Sequence, residues 1–409
     1  SYVGVDGAEI GLDILVANKP NSPCIFIAMG SGYSPNLKSW LGSMNLEPEK
    51  INELLAASLT AGGTELFIHQ SLYSKPDNLK LWKEITKGRF TVVELGYSPD
   101  PLAALREAKA AIRFLRANAD TYNIDKTRIA MIGHSSGGHL AMNVNITQRC
   151  QSYEVPQTLT GNPGGNVDFI GDNSNWLVPF DPDTPKTTAG QCENSISACY
   201  VNCSAGDWRR EIYQQDLIDD VITGDRKDSF PWLAGFILFN TQAEQDQLAA
   251  AFGLPAGFIK PGALSTDSKT ELEIEALSPD ILVRYVTDKL KVPLMAPTRF
   301  NTNEGDYVIP PHTVFRTHKI FKEVGVDSSF KLDTMANHSS TSIAHSDPTI
   351  LGGWTLEHNT NTWYTQDEWM YWLCDIFAMP AVEFKRTGMT FNQYKQAYPG
   401  VDLENTFAE

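Results

Sequence analysis

One serine stands in a sequence context that could make it a nucleophile. Residues 128–132 form an apolar run that leads into Gly133-His134-Ser135-Ser136-Gly137, and a helical pattern follows at once. A strand, a sharp turn and a helix in this order expose the serine hydroxyl, and the positions two before and two after it must be small. Gly133 and Gly137 meet that requirement. The sequence therefore predicts Ser135 as a catalytic nucleophile, with the N-terminus of the helix directed at any oxyanion formed there.

A serine hydroxyl reacts readily only when a histidine takes its proton and a carboxylate orients that histidine. With this turn, the acid follows the serine along the chain and the histidine comes last. Asp306 follows a predicted strand and a turn glycine, and His338 follows the last predicted strand. We therefore predict Asp306 as the acid and His338 as the base. Glu304 and Asp172 are alternatives for the acid, and His345 is the alternative for the base.

The same chemistry needs two backbone N–H groups to bind the negatively charged oxygen of the intermediate. We expect the first from Ser136 and the second from Gly30, Ser31 or Gly32, which follow an early predicted strand. Candidate substrate-binding residues lie beside these segments and in the middle of the chain: Tyr33, His134, Trp208 and Trp232. For the two tryptophans, burial in a core is the alternative.

Strands and helices alternate along the first third of the chain, which favours an α/β fold with a mostly parallel sheet between helices. The strand after the serine is either 167–170 or 196–201. Patterns predict strands over 9–16, 23–29, 90–95, 128–132, 293–300 and 329–333, and helices over 48–61, 101–119 and 313–324. In the tail, Trp369, Trp372 and Phe377 recur at helical spacing and are predicted to be core residues.

The 409 residues exceed the usual limit of about 250–300 for one hydrophobic core. Between 204 and 275 the alternation stops, and two helices are predicted over 214–223 and 243–252. We therefore predict a lid insertion over 204–275, with a catalytic domain built from 1–203 and 276–409.

The overall charge limits the ligands that this chain can attract. It carries 33 Lys and Arg against 49 Asp and Glu, which gives a net charge of −16. The electric field of this charge repels nucleic acids and anionic membranes. The sequence also contains no apolar stretch of 18 residues, the length that could span a bilayer. A small neutral ester is the expected substrate, with no metal or other cofactor, and the oligomeric state stays open.

The cysteines and glycosylation sequons bear on the compartment. An even number of cysteines favours disulfides and an oxidising environment, whereas those in apolar runs, Cys24 and Cys374, could be buried thiols. The six are Cys24, Cys150, Cys192, Cys199, Cys203 and Cys374. Three glycosylation sequons favour a secreted or extracytoplasmic protein, at Asn145, Asn202 and Asn337. The first residue is not methionine, which is expected after removal of a leader or after trimming. A catalytic His338 would leave Asn337 too close to the cleft for a glycan.

Several of these segments resemble the α/β-hydrolase superfamily, and within it the serine esterases similar to hormone-sensitive lipase, feruloyl esterases and tannases. The resemblance rests on Ala-Ala-Ile-Arg-Phe-Leu-Arg-Ala-Asn-Ala at 110–119, on the turn around Ser135, and on Gly305-Asp306 with Val308-x-Pro310. It covers about 25–141 and 278–340. It implies an α/β-hydrolase fold with a helical lid and a Ser135–His338–Asp306 triad acting on an ester. The long insertion resembles the lids of tannase-like and feruloyl esterases, which implies an aromatic or plant-derived ester.

The sequence departs from that family at two places. Met29-Gly30-Ser31-Gly32 stands where the family has His-Gly-Gly, and His338 lies between Asn and Ser rather than beside glycine. Two other functions are compatible with the motif. They are a serine peptidase of the prolyl-oligopeptidase type, although no preceding repeat domain is present, and a non-catalytic binding protein on a hydrolase scaffold.

Overall fold

The computed structural model describes residues 2–3, 9–28, 33, 88–98, 100–148, 195–213, 238–251, 255–257, 261–290, 295–303, 309–333 and 372–379. The strands are β1 (Tyr2–Val3), β2 (Glu9–Ile10), β3 (Leu12–Leu15), β4 (Ser22–Ala28), β5 (Thr91–Leu95), β6 (Ile124–His134), β7 (Ala198–Asn202), β8 (Thr298–Asn303) and β9 (Ser328–Asp333). The helices are α1 (Pro101–Ala117), α2 (Ser136–Ile146), α3 (Gln242–Ala251), α4 (Glu271–Leu277), α5 (Pro279–Leu290) and α6 (Pro311–Glu323).

Seven strands form one sheet in the order β3-β5-β4-β6-β7-β8-β9. Only β3 pairs antiparallel to its neighbour; all the other described pairs in this sheet are parallel. The predicted α/β class with a mostly parallel sheet is therefore confirmed. Because the strands from β4 to β9 run in one direction, their carboxyl ends meet at the same edge.

Both faces of the sheet are apolar, as a parallel sheet between two layers requires. Along β4, Cys24 and Phe26 contribute to one hydrophobic cluster and Ile25 and Ile27 to the other. The first cluster also holds side chains of α1, α2, α5 and α6. On the second face, Leu373, Cys374 and Phe377 cover the strands, with Trp372 packed at the margin. The core assignment is thus confirmed for Phe377, while Trp369 lies outside the described residues.

The structure decides the strand that the sequence left open. β7 pairs with β6 on one side and β8 on the other, so 196–201 was the correct alternative within the described chain. The strand predicted over 293–300 begins later, at Thr298, directly after Pro297, which has no N–H to donate to a ladder. The predicted helix at 101 begins as expected, because the Asp100 carboxylate accepts from the N–H of Ala103 at 2.8 Å. The helix predicted over 48–61 lies outside the described residues.

The described parts of 204–275 share the main hydrophobic cluster with the sheet. Ala205, Trp208, Phe239 and Leu264 are all buried in it. The predicted helix near 243–252 is α3, whereas 214–223 lies outside the described residues. The division into a catalytic domain and a lid stays a prediction.

The prediction of disulfides is wrong for Cys199 and Cys203, which are buried free thiols. They lie at β7 and directly after it, four residues apart, and an extended chain separates such positions by about 13 Å, beyond the reach of a disulfide. Cys24 and Cys374 are also buried free thiols, as the alternative predicted. Cys150 and Cys192 lie outside the described residues.

Two of the three sequons are part of the core. Asn145 is buried, and its amide donates to Thr298 Oγ1 at 2.9 Å, which ties α2 to β8. Asn202, the last residue of β7, is also buried. Neither side chain can carry a glycan in this fold, so these two sequons do not support secretion.

A buried carboxylate lies where α5 begins. Asp280 packs against the backbone of Gly206, and Arg316 Nε approaches its Oδ2 at 3.6 Å. Burial raises the pKa of Asp280 from its ordinary value to about 6, although Thr317 and Arg316 lower it in part. The folded state therefore holds the proton more tightly than the unfolded state, and stability falls as the pH rises from about 4 to 6.

Replacing Asp280 by asparagine should raise the free energy of unfolding at pH 7 by about 1–3 kcal/mol, because the amide keeps the shape without the buried charge. Urea unfolding of both proteins from pH 4 to pH 8 measures this, and the gain should vanish near pH 4. The exposed Asp120, changed in the same way, serves as the control and should show no gain. A less stable Asp280→Asn protein at pH 7 would mean that the Arg316 ion pair outweighs the cost of burial.

Candidate active site

Ser135 has a backbone conformation that side chains rarely adopt. It joins the last residue of β6 to the first residue of α2, with φ 54° and ψ −125°. Three hydrogen bonds hold it there: its N–H donates to Asn202 O at 2.9 Å, and its carbonyl accepts from the N–H groups of Gly138 at 2.9 Å and His139 at 3.1 Å. A strained residue persists only where its surroundings over-determine it, and such residues cluster at functional sites.

The glycines around Ser135 allow the strand and the helix to approach each other closely. A Cβ atom on Gly133 would lie within 3.0 Å of the backbone of both Gly137 and Gly138. A Cβ atom on Gly138 would lie 2.7 Å from Ser204 Cβ. A small residue is therefore required two positions before the serine because any Cβ atom there would collide with the backbone at the start of α2.

Replacing Gly133 by alanine should lower the free energy of unfolding by at least about 3 kcal/mol, because the first turn of α2 would have to move. The same shift should displace Ser135. Chemical unfolding gives the first quantity, and the rate of labelling by a serine-directed fluorophosphonate gives the second.

Gly11 provides the control for this change. A Cβ atom there meets nothing within 4 Å, and its φ is not in the left-handed region. Gly11→Ala should change the free energy of unfolding by less than about 0.5 kcal/mol. If Gly133→Ala were as stable and as readily labelled as the wild-type protein, the close approach in the structure would be incorrect.

A row of polar side chains crosses the sheet beside the serine. His134, Asn202 and Asn301 occupy paired positions on β6, β7 and β8. Asn202 Nδ2 donates to His134 Nδ1 at 3.0 Å, and Asn301 Nδ2 donates to Asn202 Oδ1 at 2.9 Å. All three are buried. This row links the strand that carries the serine to the strand that precedes the predicted acid.

Behind the serine, the buried ring of His139 contacts three separate segments. Its Nδ1 is hydrogen-bonded to the hydroxyl of Tyr33, its Nε2 lies 2.5 Å from Leu277 O, and its ring centroid lies 4.6 Å from that of Trp208. Burial lowers the pKa of His139 to about 3, although the Leu277 carbonyl opposes this. The imidazole is therefore neutral at physiological pH.

Five of the predicted site residues lie within the described chain: Ser135, Ser136, His134, Tyr33 and Trp208. Ser136 is the first residue of α2, the position that an oxyanion donor requires. Tyr33 and Trp208 are 2% and 1% exposed, and the indole N–H of Trp208 donates to Ala205 O. Substrate contacts by Tyr33, His134 and Trp208 stay predictions. Outside the described residues lie Gly30, Ser31, Gly32, Asp172, Trp232, Glu304, Asp306, His338 and His345.

β8 and β9 end shortly before the two residues predicted to act with Ser135. β8 ends at Asn303, shortly before Asp306, and β9 ends at Asp333, shortly before His338. β6, β7, β8 and β9 are consecutive parallel neighbours, so both chain segments leave the sheet at the edge where Ser135 lies.

A family comparison agrees with this arrangement. The family model BD-FAE, of the α/β-hydrolase type, matches residues 63–172, a range that includes β5, α1, β6, the Ser135 turn and α2. The chain folds as an α/β-hydrolase. The strained serine between β6 and α2 is the feature on which this fold carries its nucleophile.

Solved structures similar to this chain include several esterases. An acetyl ester-xyloside bifunctional hydrolase from Caldicellulosiruptor lactoaceticus is 15% identical, with 91% of this chain and 90% of that chain covered and a TM-score of 0.45. A truncated carbohydrate esterase from gut microbiota is 13% identical over 92% and 95%, with a TM-score of 0.47. A thermophilic esterase from Thermogutta terrifontis is 13% identical over 93% and 94%, with a TM-score of 0.44. No curated protein matches the sequence significantly.

No site role was predicted from the sequence for Asn202, for Asn301 or for the contacts of His139. A signal was present for Asn202, which ends the otherwise apolar strand Ala198–Asn202 at the carboxyl edge of the sheet. Asn301 lies inside a mixed strand, Thr298–Asn303, and gave no such signal. Within the described ranges, no group of three metal-ligating side chains is close enough to hold a metal ion. No helix in the described part of the chain is long and apolar enough to cross a membrane.

Proposed function

We propose that this protein is an α/β-hydrolase that acts as a serine carboxylic ester hydrolase on neutral esters. The observation that carries the proposal is the conformation of Ser135, with φ 54° between the end of β6 and the start of α2. This strain costs on the order of 1–3 kcal/mol, and its benefit is a hydroxyl presented at the N-terminus of a helix.

In the proposed reaction, Ser135 Oγ attacks the ester carbonyl while His338 takes its proton and Asp306 orients the imidazole. The tetrahedral oxyanion is bound by the N–H of Ser136 and by a second N–H from residues 30–32. His338 then gives the proton to the leaving alcohol. Water, activated by the same histidine, attacks the acyl-enzyme, releases the acid and restores Ser135.

The positions of β8 and β9 support the assignment of Asp306 as the acid and His338 as the base. Asp306 and His338 follow strands whose carboxyl ends lie at the same edge of the sheet as Ser135. The polar row of His134, Asn202 and Asn301 also spans the strands between the serine and the proposed acid. Glu304 and His345 are the nearest replacements along the sequence if either assignment is wrong.

The net charge of −16 favours a neutral substrate over an anionic one. We further propose that residues 204–275 form a lid that walls the pocket, with Trp232 available for an aromatic acyl or alcohol group. An aromatic or plant-derived ester would suit such a wall.

The proposal is tested with the whole chain and a fluorophosphonate probe, followed by a panel of substrates. The probe should react with the protein, and peptide mapping should place the adduct on Ser135. Aryl acetates, acetylated sugars and hydroxycinnamoyl esters should be hydrolysed, and peptide amides of the same acyl groups should react at least about 100-fold more slowly.

Each other function gives a different result in this experiment. Amides cleaved as fast as esters would indicate a peptidase. A folded protein that is neither labelled nor active on any ester would indicate a binding protein. Either result would refute the proposal.

A further inference from the structure

Tyr33 and His139 connect the segment after β4 to the helix behind the serine. Tyr33 directly follows residues 30–32, which are expected to supply the second oxyanion donor. His139 is the fourth residue of α2, and its own N–H donates to the carbonyl of Ser135 at 3.1 Å. The hydrogen bond between the Tyr33 hydroxyl and His139 Nδ1 therefore joins the two halves of the proposed oxyanion site.

The surroundings fix which nitrogen of His139 carries the proton. A backbone carbonyl can only accept, so His139 Nε2 must donate to Leu277 O at 2.5 Å. In the neutral ring Nδ1 then carries no proton and must accept from the Tyr33 hydroxyl. Asn143 Nδ2 lies 3.0 Å from His139 Nε2, but the Leu277 carbonyl is the closer partner of that nitrogen and also accepts from Asn143. The hydrogen bonds then run from Tyr33 through His139 to Leu277.

The ring itself has little freedom to move. Its centroid lies 4.6 Å from that of Trp208 and 5.5 Å from that of Tyr33. Trp208 is fixed in turn, because its indole donates to Ala205 O at 2.6 Å and its backbone N–H donates to Ser278 Oγ at 3.0 Å. Asn143 Nδ2 donates to the same Leu277 carbonyl at 2.9 Å.

We propose that Tyr33 and His139 are positioning residues that hold the oxyanion loop at the correct distance from Ser135. This inference rests on the proposed function, because it assigns a role within that reaction. Tyr33 is buried and has a left-handed φ of 57°, a conformation that persists only where the surroundings of the residue fix it. Neither side chain touches the reacting atoms in this role.

The test is Tyr33→Phe, which removes only the hydroxyl. A small displacement of an oxyanion donor lowers the rate strongly, so kcat should fall by about 10- to 100-fold while KM changes by less than about 3-fold. A trifluoromethyl ketone, which forms a tetrahedral oxyanion on the serine, should bind more weakly by a similar factor. The matching methyl ketone, which binds largely unreacted, should lose little affinity.

Tyr122→Phe provides the matched control. Tyr122 lies before β6, at the amino end of the strand and therefore at the opposite edge of the sheet from Ser135, and the same atom is removed there. Its kcat should stay within about 2-fold of the wild-type value. His139→Gln and the Tyr33→Phe/His139→Gln double variant complete a cycle. If one hydrogen bond carries both effects, the double variant should be no slower than the slower single variant.

The outcomes separate the two proposals. A wild-type protein without esterase activity would refute the proposed function. A wild-type protein with normal activity, together with a Tyr33→Phe variant of unchanged kcat and unchanged trifluoromethyl ketone affinity, would refute only the positioning role. Tyr33→Phe removes only one hydroxyl group, so its kcat and its ketone affinity can be interpreted even if His139→Gln does not fold.

Discussion

Replacing Ser135 by alanine should lower kcat for ester hydrolysis by at least about 10⁴-fold and should abolish fluorophosphonate labelling. The residual rate would come from the oxyanion donors and from substrate binding alone. KM should change little, because the alanine variant keeps the pocket. Hydrolysis of an aryl acetate, followed at enzyme concentrations high enough to detect slow turnover, measures the loss.

Stability gives a second result at the same position. Alanine, like serine, has a Cβ atom and is strained at a φ of 54°, whereas glycine adopts such angles without strain. Ser135→Gly should therefore unfold with a free energy about 1 kcal/mol higher than Ser135→Ala, although both are inactive. Equal stability of the two variants would mean that the backbone at Ser135 is not strained.

Replacing His338 by alanine should lower kcat by at least about 10³-fold, whereas His345→Ala should change it by less than about 3-fold. The reason is that only one imidazole can take the proton of Ser135. Rates are measured on the same aryl ester between pH 5 and pH 9. The rise of the rate with pH that a histidine base produces should be lost in the His338 variant.

Added imidazole distinguishes a missing base from a damaged fold. It should restore part of the activity of His338→Ala, because the small ring can occupy the space left by the side chain. It should have no effect on wild-type protein. If His345→Ala proved to be the inactive and rescuable variant, His345 would replace His338 in the mechanism.

Much of the sheet could be predicted from local pattern. The run Cys24-Ile25-Phe26-Ile27-Ala28 predicts a strand buried on both faces, and the structure divides its side chains between two clusters. The strand after the serine could not be chosen in the same way. Two short apolar segments were available, and the choice depends on which of them pairs with β6 and β8, which is a long-range property.

The turn around Ser135 was predictable for a similar reason, since neighbouring glycines specify it. The contacts behind it were not. Leu277, which fixes the proton on His139, lies 138 positions further along the chain, and Tyr33 lies 106 positions before it. No periodicity in the sequence reports such pairings, so the role of His139 emerged only from the folded arrangement.

The buried amides of Asn145 and Asn202 have a consequence for how this protein can be produced. Attachment of an oligosaccharide during synthesis precedes folding, and a sugar on either side chain would have to enter the space between the sheet and α2 or the row beside Ser135. A chain modified there could not complete the sheet. In a eukaryotic secretory host, part of the protein would thus misfold. A bacterial host that lacks the glycan-transferring enzyme would avoid this loss. A Thr147→Val variant, which removes the acceptor site at Asn145, would avoid part of it.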